Sequence, residues 1–350
     1  MSYLMDSICA TSAQLHGGII LDDHFAAPKT ADAYRTITTA LHGAPRFLLD
    51  DAAIETAVEL TLGRPKVLLE ALHHVRLPYP RLWVEWSETG REELRRKLGT
   101  RSAPLTSIPT RLGFLIESDP ETGRSGRITW AWLHAGQPVP NIAAVVAEFD
   151  LDQKFPQPAR RRDGLMRGEM AQMWDDNPEQ LRSLLAIWET ALHKVSDWGA
   201  EQIGVVRHMF GSADHTEDRY FSDVYGEYIV IWAIVLLLTA SRPIIDYQPV
   251  SLTKLNKIRR KKNQTPLLDH TRVIMHLNGR SASSRQPQPL SYQRKSPRVH
   301  MVASYLARRG EKHWIVQAYM RGSGETVSRH VRVVTHPTRP FNFNQKEPTP

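Results

Sequence analysis

The sequence predicts an α+β fold: a helical body with a small antiparallel sheet, followed by a small antiparallel β unit toward the carboxyl end. Three observations predict it. Apolar residues recur at helical spacing across residues 30–76 and 177–240. Between those stretches lie three short runs rich in aromatic and β-branched residues. Beyond residue 250 the charge balance reverses sign.

The first 76 residues read as helical. Thr30 stands before Tyr34, Ile37, Ala40 and Leu41 at helical spacing, and Gly43 with Pro45 stops that segment. Asp50-Asp51 opens another, with Ile54, Ala57, Val58 and Leu62 on one face. Gly63 and Pro65 interrupt it, and Val67, Leu68, Ala71 and Leu72 resume the spacing. Strands are then expected at 82–86, 112–116 and 128–133. The turn formers of Asp119–Gly126 make the last two a hairpin, and Ile142–Phe149 adds a fourth strand.

Asn177-Pro178-Glu179-Gln180 reads as a helix start: a capping side chain, Pro at the first helical position, Gln at the third. Leu181, Leu184, Leu185, Trp188, Ala191, Leu192 and Val195 continue it at helical spacing. Tyr220–Ala240 reads as a buried helix. Trp83, Trp86, Trp130, Trp132 and Trp188 are expected to pack against its apolar part. Toward the end, strands are expected at Thr271–Leu277, Arg298–Leu306, His313–Tyr319 and His330–Thr335, with a tight turn at Arg309–Lys312. The domain limits follow: an acidic mixed body over 1–250, a basic connector over 251–270, a small basic β domain over 271–336, and a disordered Pro-rich tail over 337–350.

The chain has 350 residues, 41% hydrophobic and 23% charged, which excludes collagen-like, coiled-coil and wholly disordered classes. Its net charge of +8 is unevenly placed. Residues 251–350 hold 20 Lys and Arg against 4 Asp and Glu, whereas the first 250 hold 25 against 33. A basic end on an acidic body points to a polyanionic partner. Cys9 is the only cysteine, so no intrachain disulfide and no cysteine zinc site can form, which fits a reducing compartment. The amino end lacks a basic stretch followed by an apolar one, so no signal peptide is expected. The longest apolar run, Ile229–Leu238, spans as a helix about half a bilayer core, which argues against a membrane partner.

Phosphate loops, a nucleophile elbow, an HExxH helix and an EF-hand loop do not occur, so neither cofactor nor metal is expected. His208, Asp214, His215, Glu217 and Asp218 are the densest group of ligand-type residues, and their spacing reads as a polar loop. The pairs Asp22-Asp23, Asp50-Asp51 and Asp175-Asp176 each precede a predicted helix, where carboxylates favour the helix start.

The candidate site is cationic. Arg259, Arg260, Lys261 and Lys262 are consecutive, with Asp269 the nearest downstream acid. Turned outward they would displace counterions from a phosphate backbone; a solvated linker is the alternative. Arg298, Arg308, Arg309, Lys312 and Arg321 extend the set, interleaved with Tyr305, Trp314 and Tyr319. The expected function is non-enzymatic nucleic-acid binding through this region. Two alternatives stay open: a structural, self-associating component of a phage particle, and a small ribonuclease using His300, His313 and His330 as acid and base.

Two blocks carry a resemblance. One is Leu255-Asn256-Lys257-Ile258-Arg259-Arg260-Lys261-Lys262 running to Pro266-Leu267-Leu268-Asp269-His270-Thr271. The other joins His300-Met301-Val302, Tyr305–Gly310, Trp314-Ile315-Val316 and Arg321-Gly322, with Leu77–Trp86 of similar flavour. The chain resembles uncharacterised proteins of tailed phages and proteobacterial prophages over about a third of its length. The resemblance implies a phage or prophage setting, host cytoplasm or virion, and no chemistry.

Overall fold

The computed structural model describes residues 3–15, 28–88, 109–137, 139–156, 178–210, 214–239 and 245–275, together with strand segments 300–302, 305–309, 312–316 and 319–321. The first elements are α1 (Leu4–Gln14), α2 (Pro28–Gly43), β1 (Arg46–Leu49), α3 (Asp51–Gly63) and α4 (Pro65–Leu72). Four longer strands follow: β2 (Arg81–Ser87), β3 (Pro109–Ser118), β4 (Ser125–His134) and β5 (Asn141–Asp150). Next come α5 (Pro178–Trp188), β6 (Ala191–Val195), α6 (Asp197–Phe210), α7 (Asp214–Leu238), β7 (Ile245–Val250), α8 (Thr253–Lys261) and β8 (His270–Met275). The strands β9 (His300–Val302), β10 (Tyr305–Arg309), β11 (Lys312–Val316) and β12 (Tyr319–Arg321) are short.

The sheet is the centre of the molecule, which corrects the expected small antiparallel one. Eight strands run in the order β6-β5-β4-β3-β2-β1-β8-β7. From β6 to β2 every pairing is antiparallel, β1 is parallel to both β2 and β8, and β7 closes the far edge antiparallel to β8. Helices cover both faces. On one, α3, α4, α5 and α7 pack on Leu82, Val84 and Trp86 and on the matching residues of neighbouring strands. On the other, α1 and α2 pack on Leu48, Trp83, Leu115 and Ala131. Strand side chains alternate between faces, so each strand feeds both cores.

Three local corrections explain the difference. The stretch read as wholly helical contains β1, whose Phe47, Leu48 and Leu49 are buried. A short inner strand covered on both faces is a continuous apolar run without alternation, and periodicity is blind to it. The helix read through Val195 ends at Trp188: the Thr190 N–H turns back to the Ile187 carbonyl, and residues 191–195 form edge strand β6. Thr271–Leu277, expected in a separate carboxyl-terminal unit, yields β8, which lies inside the main sheet between β1 and β7. Pro249 sits in β7, an edge strand, where a missing N–H costs no ladder bond.

The tryptophans divide. Trp86, Trp130 and Trp188 share the core of α7, whose Tyr228–Leu238 stretch is buried throughout, and Trp132 packs at its margin. Trp83 faces the opposite core instead. Of the carboxylate pairs, Asp50 caps α3, accepting the Ala53 N–H at 2.8 Å, and its other oxygen accepts the Met275 N–H at 3.0 Å. Asp22-Asp23 and Asp175-Asp176 lie outside the described residues. Among the described residues no helix is long and apolar enough to cross a membrane.

Candidate functional site

The cationic run lies on a helix, not on an irregular connector. In α8 no residue is buried, so the helix is held by polar bonds rather than by a packed apolar face. Leu252 N–H donates to Asp269 at its start. Asn256 exchanges two hydrogen bonds with the Leu267 backbone, both 2.8 Å, and Arg259 Nε donates to the Thr265 carbonyl at 2.8 Å. Asn263, with φ of 53°, reverses the chain, and the returning segment before β8 buries Leu268. Arg259, Arg260 and Lys261 occupy the last turn, where cations meet the negative end of the helix dipole.

The four cations are not equivalent. Arg260, Lys261 and Lys262 are exposed, and so are Lys254 and Lys257 of the same helix. Arg259 is half-buried and tied to Thr265. Among the described residues none of the five exposed cations forms an ion pair.

The remaining site residues are placed only by backbone. Arg308 and Arg309 of β10 stand opposite His313 and Lys312 of β11 in an antiparallel pair. Arg321 of β12 stands opposite His300 of β9 in a second pair. His300 and His313 therefore lie in different two-stranded sheets. Arg298, His330 and the strand expected at His330–Thr335 lie outside the described residues, as do the side chains of His208, Asp214, His215, Glu217 and Asp218. Among the described residues no cluster of metal ligands occurs.

Beside α8 the structure brings Arg259, already singled out from the sequence, together with groups that the sequence did not single out. A pocket of about 400 Å³ opens between α1, the β7–β8 edge and α8. Tyr3, Asp6, Arg259, His270 and Arg272 supply its polar wall. His270 and Arg272 are two apart on β8 and so share a sheet face. The Tyr3 ring meets the His270 ring edge-on at 4.8 Å, carries the Arg111 guanidinium 5.1 Å above it, and its hydroxyl accepts from Arg272 at 3.4 Å. Asp6 accepts the Leu268 N–H at 2.9 Å. Burial pushes the Asp6 carboxyl up to about 6, with the Glu85 charge adding to the rise. Burial also lowers the His270 imidazole below its ordinary value.

Behind the pocket, Glu85 is completely buried in the middle of β2. Its oxygens accept the first N–H groups of α1, from Leu4 at 2.7 Å and Met5 at 3.0 Å, and it is ion-paired to Arg111. A carboxylate at a helix N-terminus satisfies otherwise orphaned donors and complements the dipole. This pins α1, and with it Tyr3 and Asp6, against the sheet. The signal was present in the sequence: Glu85 interrupts the apolar run Leu82-Trp83-Val84-Glu85-Trp86. Its partners come from positions 4, 5 and 111, which sequence spacing does not connect.

No protein-family model, curated protein or solved structure matches this chain.

Proposed function

We propose that the protein is a non-enzymatic nucleic-acid binder whose phosphate-contacting surface is built on α8 and continued by the basic segment after residue 275. The observation that carries the reading is the state of the α8 cations: Lys254, Lys257, Arg260, Lys261 and Lys262 are solvent-exposed and, among the described residues, without ion-pair partners. The nearest acid along the chain, Asp269, is engaged with the Leu252 N–H. Unpaired cations carried on one short helix meet a phosphate backbone without first breaking internal contacts, and the gain comes from counterion release. In the phage or prophage setting, DNA and RNA are both candidate partners.

The test is fluorescence anisotropy of labelled single- and double-stranded DNA and RNA across a salt series. Binding at about 50 mM salt should weaken steeply toward about 200 mM. Changing Arg260, Lys261 and Lys262 to Gln should reduce the log–log salt slope by about 2–3, close to one per phosphate contact removed. Salt-independent binding, or none at low salt, would overturn the reading. Leu255 and Ile258 are exposed on the same helix. Uptake by anionic vesicles in place of nucleic acid would therefore assign α8 to a lipid surface and sink the proposal. Self-association that persists without nucleic acid would favour the particle-assembly alternative.

A further inference from the structure

Helix α8 touches the rest of the molecule along one narrow stripe. Leu252, Asn256 and Arg259 are half-buried, and every other residue from Thr253 to Lys262 is exposed. Asn256 and Arg259 are also the side chains bonded to the returning segment, through Leu267 and Thr265. The rest of the helix circumference therefore projects into solvent. At about 3.6 residues per turn, Arg260, Lys257, Lys261 and Lys254 follow one another round this projecting side. Ile258 and then Lys262 continue the series, which covers about 200° in all. Lys262, just past the last turn, keeps its N–H on the Ile258 carbonyl at 3.3 Å. Cations spread over more than half a cylinder cannot all face one row of phosphates. They can face two rows, one on each wall of a groove.

Groove dimensions discriminate between nucleic acids. A helix with its side chains is about 10–12 Å across. The major groove of B-form DNA is about 12 Å wide and admits it, whereas the A-form major groove of RNA is deep and narrow. A single strand offers no second wall. Ile258 adds a chemical preference. It is 54% exposed, between the central lysines and Lys262. The thymine C5-methyl group is an apolar contact on the major-groove floor, and uracil lacks it. Given nucleic-acid binding through α8, on which this rests, we propose that α8 enters the major groove of duplex DNA. Arg260 and Lys262 meet the phosphates of opposite walls, Lys254 and Lys261 face the base edges, and Ile258 packs on thymine methyl groups. The nine residues of α8 span about 14 Å, the rise of about four base pairs.

Anisotropy with the full chain at one low salt concentration tests this, using the same sequence as a DNA duplex, an RNA duplex and a single DNA strand. The DNA duplex should bind about tenfold or more tightly than either other form, because only it offers phosphates on both sides of the helix. Methyl green, which occupies the major groove, should displace the protein. Netropsin, equally dicationic but bound in the minor groove, should not. Replacing thymine by uracil in the DNA duplex should weaken binding about three- to fourfold, the loss of one methyl contact. Ile258→Ala, at an exposed position that leaves the core intact, should bind the two duplexes alike and melt at the parent temperature. Equal binding of the RNA duplex or the single strand would overturn the groove assignment and leave α8 a phosphate-binding surface. Displacement by netropsin rather than methyl green, or equal affinity of the parent for thymine and uracil duplexes, would do the same. Failure of all three nucleic acids to bind would instead remove the reading on which the assignment stands.

Discussion

At the scale of single residues, two buried carboxylates behave oppositely. Glu85 is fully compensated: two helix N–H groups, the Trp83 indole N–H and Arg111 converge on it. Removing one partner leaves a charge in the core, so Arg111→Met should cost about 3–5 kcal/mol in urea unfolding, and Glu85→Gln a similar amount. Asp6 has one N–H donor and is raised from 3.8 to about 6. Between those values the folded chain holds a proton that the unfolded chain has released. Its contribution is therefore full below about pH 4 and is lost as pH rises through 6. Asp6→Asn keeps an acceptor for Leu268 and removes the charge. The variant should match the parent near pH 4 and exceed it by about 3 kcal/mol at pH 7, as read from urea midpoints at both values. Equal stability at both would show that Asp6 titrates normally.

At the scale of elements, the helices are held in contrasting ways. The apolar half of α7 is buried throughout and meets Phe149 through Trp232, whose rings cross at 5.1 Å. Trp232→Ala should cost about 3–5 kcal/mol, because lost burial and a cavity add together. Helix α6 approaches the sheet so closely at Gly199 that an added Cβ would stand 2.0 Å from the Ala144 carbonyl oxygen. Ser196 and Trp198 fix that approach by donating to the Ala144 and Ala143 carbonyls. Gly199→Ala should thus lower stability by about 1–3 kcal/mol, visible as a reduced melting temperature. For α8, held only by polar bonds, exposed substitutions such as Lys257→Gln should leave the melting temperature nearly unchanged. A surface charge away from packing is worth little to the fold, whatever it contributes to binding.

At the scale of the whole molecule, the order of the strands governs what can be cut away. β8 lies between β1 and β7, so the residues after 250 supply an internal strand of the sheet that the first 250 begin. Truncation after Val250 removes it, exposes an unpaired edge of β1, and leaves β7 with no neighbour. That chain should fail to unfold cooperatively by circular dichroism, whereas truncation after residue 278 should retain the main sheet. Cooperative folding of residues 1–250 alone would contradict this account.

The sequence by itself determined the local features. Turn formers at 119–126 mark the β3–β4 hairpin, Pro178 marks the start of α5, and the Ile229–Leu238 run marks a helix buried on all sides. Each rests on neighbours within a few residues. Charge asymmetry was also legible, since it needs only counting. Only the tertiary structure decided that β1 and β8 are inner parallel strands, that β6 is a strand at all, and that Tyr3, Asp6, Arg259, His270 and Arg272 share one pocket. The physical reason is range. Helices and hairpins are stabilised between residues close in the chain, whereas a parallel pairing and a pocket wall join residues separated by more than two hundred positions, and no local pattern encodes which of them meet.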